Sequence, residues 1–139
     1  MPFSVALVDE AGYDRLAPER ATRLCAAAFH ACGLNANDMG EVSVAFVPLS
    51  VMHELNLQYR NVDSPTDVLS FEIDGPFGEM VGEIVVAPEY VRYDRTGVEE
   101  LVVHGALHLA GIDHGDEFEG TEMAVVQKAV LKETGVRGG

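Results

Sequence analysis

Read for the spacing of its apolar positions, the chain divides into eight elements. Phe3 to Val8 is a short apolar run and predicts a strand. A helical pattern follows from about Pro18 to Cys32, with proline in its first turn and Gly33 at its end. Glu41 to Val47 alternates and predicts a second strand. Ser50 to Tyr59 sets Val51, Leu55 and Tyr59 at helical spacing, with Ser50 available as the cap. After a turn at Asp63-Ser64-Pro65-Thr66, the segments Val68 to Ile73 and Met80 to Ala87 read as strands. The Gly-Pro-Phe-Gly segment at 75–78 joins them, which predicts an adjacent antiparallel pair. The stretch from Val98 to Gly111 is apolar nearly all round, the pattern of a buried helix. Thr96-Gly97-Val98-Glu99 has the form of a capping box, so this helix is expected from near Gly97 to near Ala110. A last helix is expected from about Glu119 to Thr134, with Met123, Val126, Val130 and Leu131 inward and Gly135 stopping it. The order β-α-β-α-β-β-α-α, with no repeat or long linker, predicts one α+β domain over residues 1–139, a small mixed sheet of about four strands packed with helices.

Composition fits this picture. A chain of 139 residues buries roughly 70% of its unfolded surface around one core and needs no covalent staples. Cys25 and Cys32 stand at i and i+7 of the first helix, about 10 Å apart along its axis, too far for a disulfide, and read as reduced core residues. The N-terminal segment has no basic region and too short an apolar run for a signal peptide, and nothing elsewhere approaches a membrane span, so a cytoplasmic protein is expected. The net charge is −14, from 23 acidic against 9 basic residues. That balance works against a nucleic-acid partner, although a local basic groove can coexist with an acidic exterior. Six of the seven arginines fall in small groups, Arg15, Arg20 and Arg23, then Arg60 alone, then Arg92 and Arg95.

The chemistry concentrates in His104-Gly105-Ala106-Leu107-His108-Leu109-Ala110-Gly111-Ile112-Asp113-His114. His104 and His108 lie four apart and share one helix face, so both rings can converge on one ion. Gly111 can take the left-handed conformation that ends the helix and brings His114 back as a third ligand. Three neutral imidazoles suit zinc best among the common divalent ions, and they leave a fourth tetrahedral position for water or substrate. Metal ligation also removes the cost of imidazoles in an apolar helix. The predicted cofactor is therefore one divalent ion, zinc, on a buried helix and the following turn.

Two segments together resemble the YbeY family of bacterial metal-dependent endoribonucleases. One is Leu55-Asn56-Leu57-Gln58-Tyr59-Arg60-Asn61-Val62-Asp63-Ser64-Pro65-Thr66-Asp67-Val68-Leu69-Ser70-Phe71, and the other is the histidine run. Gly82-Glu83-Ile84 between them is close to the Gly-Asp-Ile usual in that family. The resemblance implies a small α+β domain with a zinc or similar ion in a cleft, acting on single-stranded RNA in maturation of ribosomal RNA at the small-subunit 3′ end and in ribosome quality control. It matches His104, His108 and His114 to the metal ligands and Arg60 to a functional arginine, and it makes ribosomal RNA and small-subunit components the expected partners. Two departures stand out. The connection between Pro88 and Thr96 is shorter than usual, and Asp116, Glu117 and Glu119 set carboxylates after His114 where they would repel phosphate.

The residues allow the implied chemistry. A bound divalent ion lowers the pKa of its water toward about 7 and polarises a phosphoryl oxygen. Arg60 offers a planar, permanently charged donor pair for a phosphate oxygen; from position alone it is equally a surface arginine after a helix. Asp113 can orient a ligand imidazole or act as general base, or else serve as a turn residue. Asn56 and Thr66 can hydrogen-bond substrate or cap local backbone, and His30 and His53 fall outside the motif. Two rivals remain. The histidine spacing equals that of the metzincin peptidases, but those use a glutamate directly after the first histidine, where this chain has Gly105. The other is a non-catalytic ribosome-assembly protein whose metal is structural, which a fourth protein ligand would favour.

Overall fold

The structure, a computed structural model, describes residues 3–38, 40–74, 80–112 and 122–136. The elements run β1 (Val5–Asp9), α1 (Pro18–Ala31), β2 (Val42–Phe46), α2 (Leu49–Arg60), β3 (Val68–Asp74), β4 (Met80–Val86), α3 (Arg95–Leu109) and α4 (Glu122–Glu133). The predicted order holds, with short 3-10 turns added at Ala36–Asp38 and Pro88–Val91. The architecture is α+β, a four-stranded mixed sheet in the order β1-β2-β4-β3. β2 pairs in parallel with both β1 and β4. β3 pairs antiparallel with β4, as expected, with Phe71 opposite Glu83, and forms one edge of the sheet.

Strand alternation divides the core between the two faces. Val42, Val44, Phe46, Ile84 and Val86 point to one face, where they join Leu24, Phe29, Val102, Leu107 and Met123 of α1, α3 and α4. Ala45, Leu69 and Val85 point to the other, where α2 lays Met52 against them. Each such side chain, fully buried, contributes about 1.5–3 kcal/mol, so the larger three-helix face carries most of the stability. α2 is the thinner cover. Its buried positions are Met52 and Asn56, whereas Tyr59, expected on the apolar stripe, is exposed and meets Phe71 edge-on at a centroid distance of 5.1 Å.

Helix boundaries differ from the expected ones for local reasons. α2 begins after Pro48, and Ser50 makes no cap because it already lies inside the first turn. α3 begins after Asp94, whose carboxylate accepts from the Gly97 amide at 3.0 Å. The expected Thr96–Glu99 box does not form, because the Glu99 carboxylate turns inward to Arg20. The short connection before α3 is one 3-10 turn followed by Arg92 and Tyr93 in the left-handed region, at φ 55° and 59°. Gly111, at φ +99°, follows α3 as expected of a residue that reverses the chain.

Arg20 is a cross-brace, neither a scattered solubilising charge nor part of a groove. Its Nε donates to Glu99 Oε2 of α3 at 2.7 Å, and its Nη1 donates to the Thr134 carbonyl just past α4 at 2.7 Å. Glu99 is 3% exposed, so this pair satisfies a buried charge and ties α1 to both helices that frame the histidine site. Both cysteines are free; burial pushes the Cys25 thiol up to about 12. Among the described residues, no helix is long and apolar enough to cross a membrane.

Candidate metal centre

α3 is buried along most of its length because it lies across β3 and β4 with α1 and α4 beside it. His104 and His108 occupy its least covered stripe, and both are half-buried. Their rings meet edge to face at a centroid distance of 4.8 Å, and the two Nε2 atoms face each other at 3.2 Å. Two ligands of a tetrahedral zinc, each about 2.0–2.1 Å from the ion, stand about 3.3–3.4 Å apart. The pair therefore has the spacing that two ligands of one ion need, and neutral imidazole nitrogens suit zinc. His114 and Asp113 lie outside the described residues, as do Asp116, Glu117 and Glu119. Among the described residues no group of three or more metal-ligating side chains is assembled.

The other ring nitrogen of His104 has a partner that sequence reasoning missed. His104 Nδ1 lies 2.8 Å from Gln127 Oε1 on α4. The signal was present: Gln127 is a polar residue four places after Met123 and three before Val130, on the stripe those two bury.

Gly105 shows how tightly α3 is pressed on the sheet. A Cβ at this position would stand 2.5 Å from Ile84 Cγ2, 3.1 Å from Ser70 Oγ and 3.2 Å from Val68 Cγ2. Ser70 Oγ also donates to the Gly105 carbonyl at 2.9 Å. The residue after the first histidine thus points into the sheet, away from the imidazole pair, and a side chain there forces the helix and sheet apart. The peptidase base is missing for a steric reason as well as a chemical one.

The second motif builds the approach to β3. Arg60 is the last residue of α2, exposed, and no ion pair engages it among the described residues. Asn61 closes the helix in the left-handed conformation at φ 58°. α2, which ends at Arg60, and α3, which carries the histidine pair, cover opposite faces of the sheet. The loop from Asn61 to Asp67 connects them, because it delivers Val68 against Gly105. Asn56 has the local contact: at 2% exposure it donates from Nδ2 to the Ser64 carbonyl at 2.8 Å and holds this loop. Thr66 is half-buried and its hydroxyl lies 3.3 Å from Asp67 Oδ1, which also accepts from the Val68 amide. His53 and Asp63 pair at 2.7 Å on the surface nearby.

Comparison with known proteins shows the family of the chain. The profile of the family described as endoribonuclease YbeY matches residues 9–135. An endoribonuclease YbeY of Rubrobacter xylanophilus is 59% identical over 139 residues, covering 99% of each chain. Another, from Finegoldia magna, is 38% identical over 111 residues and 72% of each chain. A Thermotoga maritima protein solved in solution superposes with a TM-score of 0.57 at 30% identity, covering 94% of this chain and 88% of that one. Neither the peptidase nor the non-catalytic alternative is favoured by these relatives. Matched by the family profile and by a relative of equal extent, the chain belongs to the endoribonuclease YbeY family.

Proposed function

We propose that the protein is a cytoplasmic, zinc-dependent endoribonuclease that cleaves single-stranded RNA during maturation of ribosomal RNA, working with small-subunit components. The observation that carries this reading is the pair of Nε2 atoms held 3.2 Å apart on α3 beside a glycine where a peptidase base would force the helix from the sheet. Family membership supports RNA as the substrate class.

His104, His108 and His114 would hold the ion. When bound, zinc supplies Lewis acidity to a phosphoryl oxygen and to water. The chain's own residues do the rest. Arg60 binds a non-bridging phosphate oxygen through its planar donor pair and offsets charge as it builds. Asp113 beside His114 holds a proton or orients that imidazole. Thr66, on the loop that Asn56 supports, contributes a hydroxyl for hydrogen bonding to the substrate.

The test compares substrates. The zinc-loaded protein is expected to cut unstructured RNA and leave casein intact, and His104→Ala is expected to abolish the RNA cleavage. Zinc-dependent proteolysis that disappears in His104→Ala would overturn the reading.

A further inference from the structure

Gln127 lies on a different helix from the histidines, yet its side-chain oxygen reaches one of their rings. An amide carbonyl only accepts hydrogen bonds, so with Gln127 Oε1 placed 2.8 Å from Nδ1 of His104, that nitrogen is assigned the proton. A neutral imidazole has one N–H. With it on Nδ1, the lone pair is on Nε2, the atom that faces His108 Nε2. We propose that Gln127 is the positioning residue of the metal centre, fixing the tautomer and ring orientation of His104 so that its Nε2 is presented as a ligand.

The brace described above makes this placement firm. α4 is tied to α1 where Arg20 donates to the Thr134 carbonyl, and the same guanidinium holds Glu99 of α3. One guanidinium thus joins the C-terminal end of α4, through a hydrogen bond to a backbone carbonyl, and α3, through an ion pair with buried Glu99. Partners of this kind on ligand histidines typically change metal affinity by about 10–100-fold. Glutamine rather than a carboxylate gives the tautomer control without adding a further negative charge to a site that has to accept phosphate, in a chain of net charge −14.

The proposal rests on zinc binding at the histidine site, and two measurements keep the two claims apart. The first is the tautomer of His104 in metal-free, 15N-labelled protein near pH 8, read from long-range nitrogen–proton correlations. The wild type is expected to show the Nδ1–H form, and Gln127→Leu to shift toward Nε2–H, the form favoured by free imidazole side chains. The second is zinc affinity by competition with a chromogenic chelator. Gln127→Leu is expected to weaken it by about 10–100-fold, and Gln127→Glu, which keeps an acceptor, to restore it to the wild-type value or tighter. Thermal unfolding of the metal-free forms is expected to change little, separating positioning from folding. A wild-type His104 in the Nε2–H form, or equal zinc affinity in wild type and Gln127→Leu, would overturn the proposal. Absence of zinc binding by the wild type would instead overturn the metal-site reading beneath it. Should Gln127→Leu fail to fold, Gln127→Glu decides alone, since weakened zinc binding in that variant contradicts an acceptor role.

Discussion

Replacing Gly105 with alanine tests how the active helix is seated. In an exposed helix this change is stabilising by about 1 kcal/mol, because alanine loses less backbone freedom than glycine. Here the new methyl would sit 2.5 Å from Ile84 Cγ2, where ordinary carbon contacts lie at about 3.5–4.0 Å. Ile84 is fully buried and its methyl branches at Cβ, so it cannot swing aside; α3 has to back away by about an ångström. Overpacking of this kind costs about 1–3 kcal/mol. The movement also stretches the 2.9 Å bond from Ser70 to the Gly105 carbonyl, worth about 0.5–1.5 kcal/mol. The sum after the helix gain is a loss of about 1–3 kcal/mol, or roughly 3–10 °C in Tm. Urea and thermal unfolding of the metal-free protein measure it. Gly82→Ala is the control, since its Cβ would meet the flexible Cδ atoms of Leu109 at 2.7 and 3.0 Å, which can turn away. A Gly105→Ala variant as stable as the wild type or more so would refute the claim that contact with the sheet dictates this glycine.

Three further outcomes follow from the same structure. Arg20→Met leaves the Glu99 carboxylate, among the described residues, with Arg95 Nε at 3.9 Å, and is expected to cost about 3 kcal/mol in urea unfolding; a loss below about 0.5 kcal/mol would contradict the brace. Cys25, whose thiol is raised from 9.0 to about 12 by burial, is expected to resist alkylation at pH 8 until the protein is unfolded. Because its folded pKa lies above the unfolded one, its contribution to stability is complete below pH 9 and declines as pH rises toward 12, at up to about 1.4 kcal/mol per pH unit; rapid labelling of Cys25 in native protein would show the core to be open there. Arg60→Lys keeps the charge but loses the two-point contact, so single-turnover RNA cleavage is expected to fall by about 100-fold with zinc content unchanged; wild-type rates would make Arg60 a surface charge.

Local and periodic features were legible in the sequence. The β3–β4 pair follows from two apolar runs joined by turn residues, and the burial of α3 follows from its lack of a polar face. Features made by tertiary partners were not. Glu99 looks like a capping residue from its neighbours, and only Arg20, 79 positions away, turns it inward. Of the helical stripe Val51, Leu55 and Tyr59, the first two are partly buried and pack against the small sheet face beside Met52, while Tyr59, at the end of α2, runs past that face and is exposed. The histidine spacing brought two imidazoles together in space, while the oxygen that faces one of them is contributed by α4. Arg60 was singled out by motif alone, and the placing of its helix on the sheet face opposite α3 depends on tertiary packing, which no local pattern encodes.

The central claim is that the His104–His108 site holds the ion on which RNA cleavage depends. Metal-stripped wild-type protein and His108→Ala can be titrated with zinc while single-turnover cleavage of an unstructured RNA is followed. The wild type is expected to be inactive when stripped and to regain full activity at one zinc per chain, with His108→Ala inactive throughout; full cleavage by the stripped wild type, or by zinc-treated His108→Ala, would contradict the account.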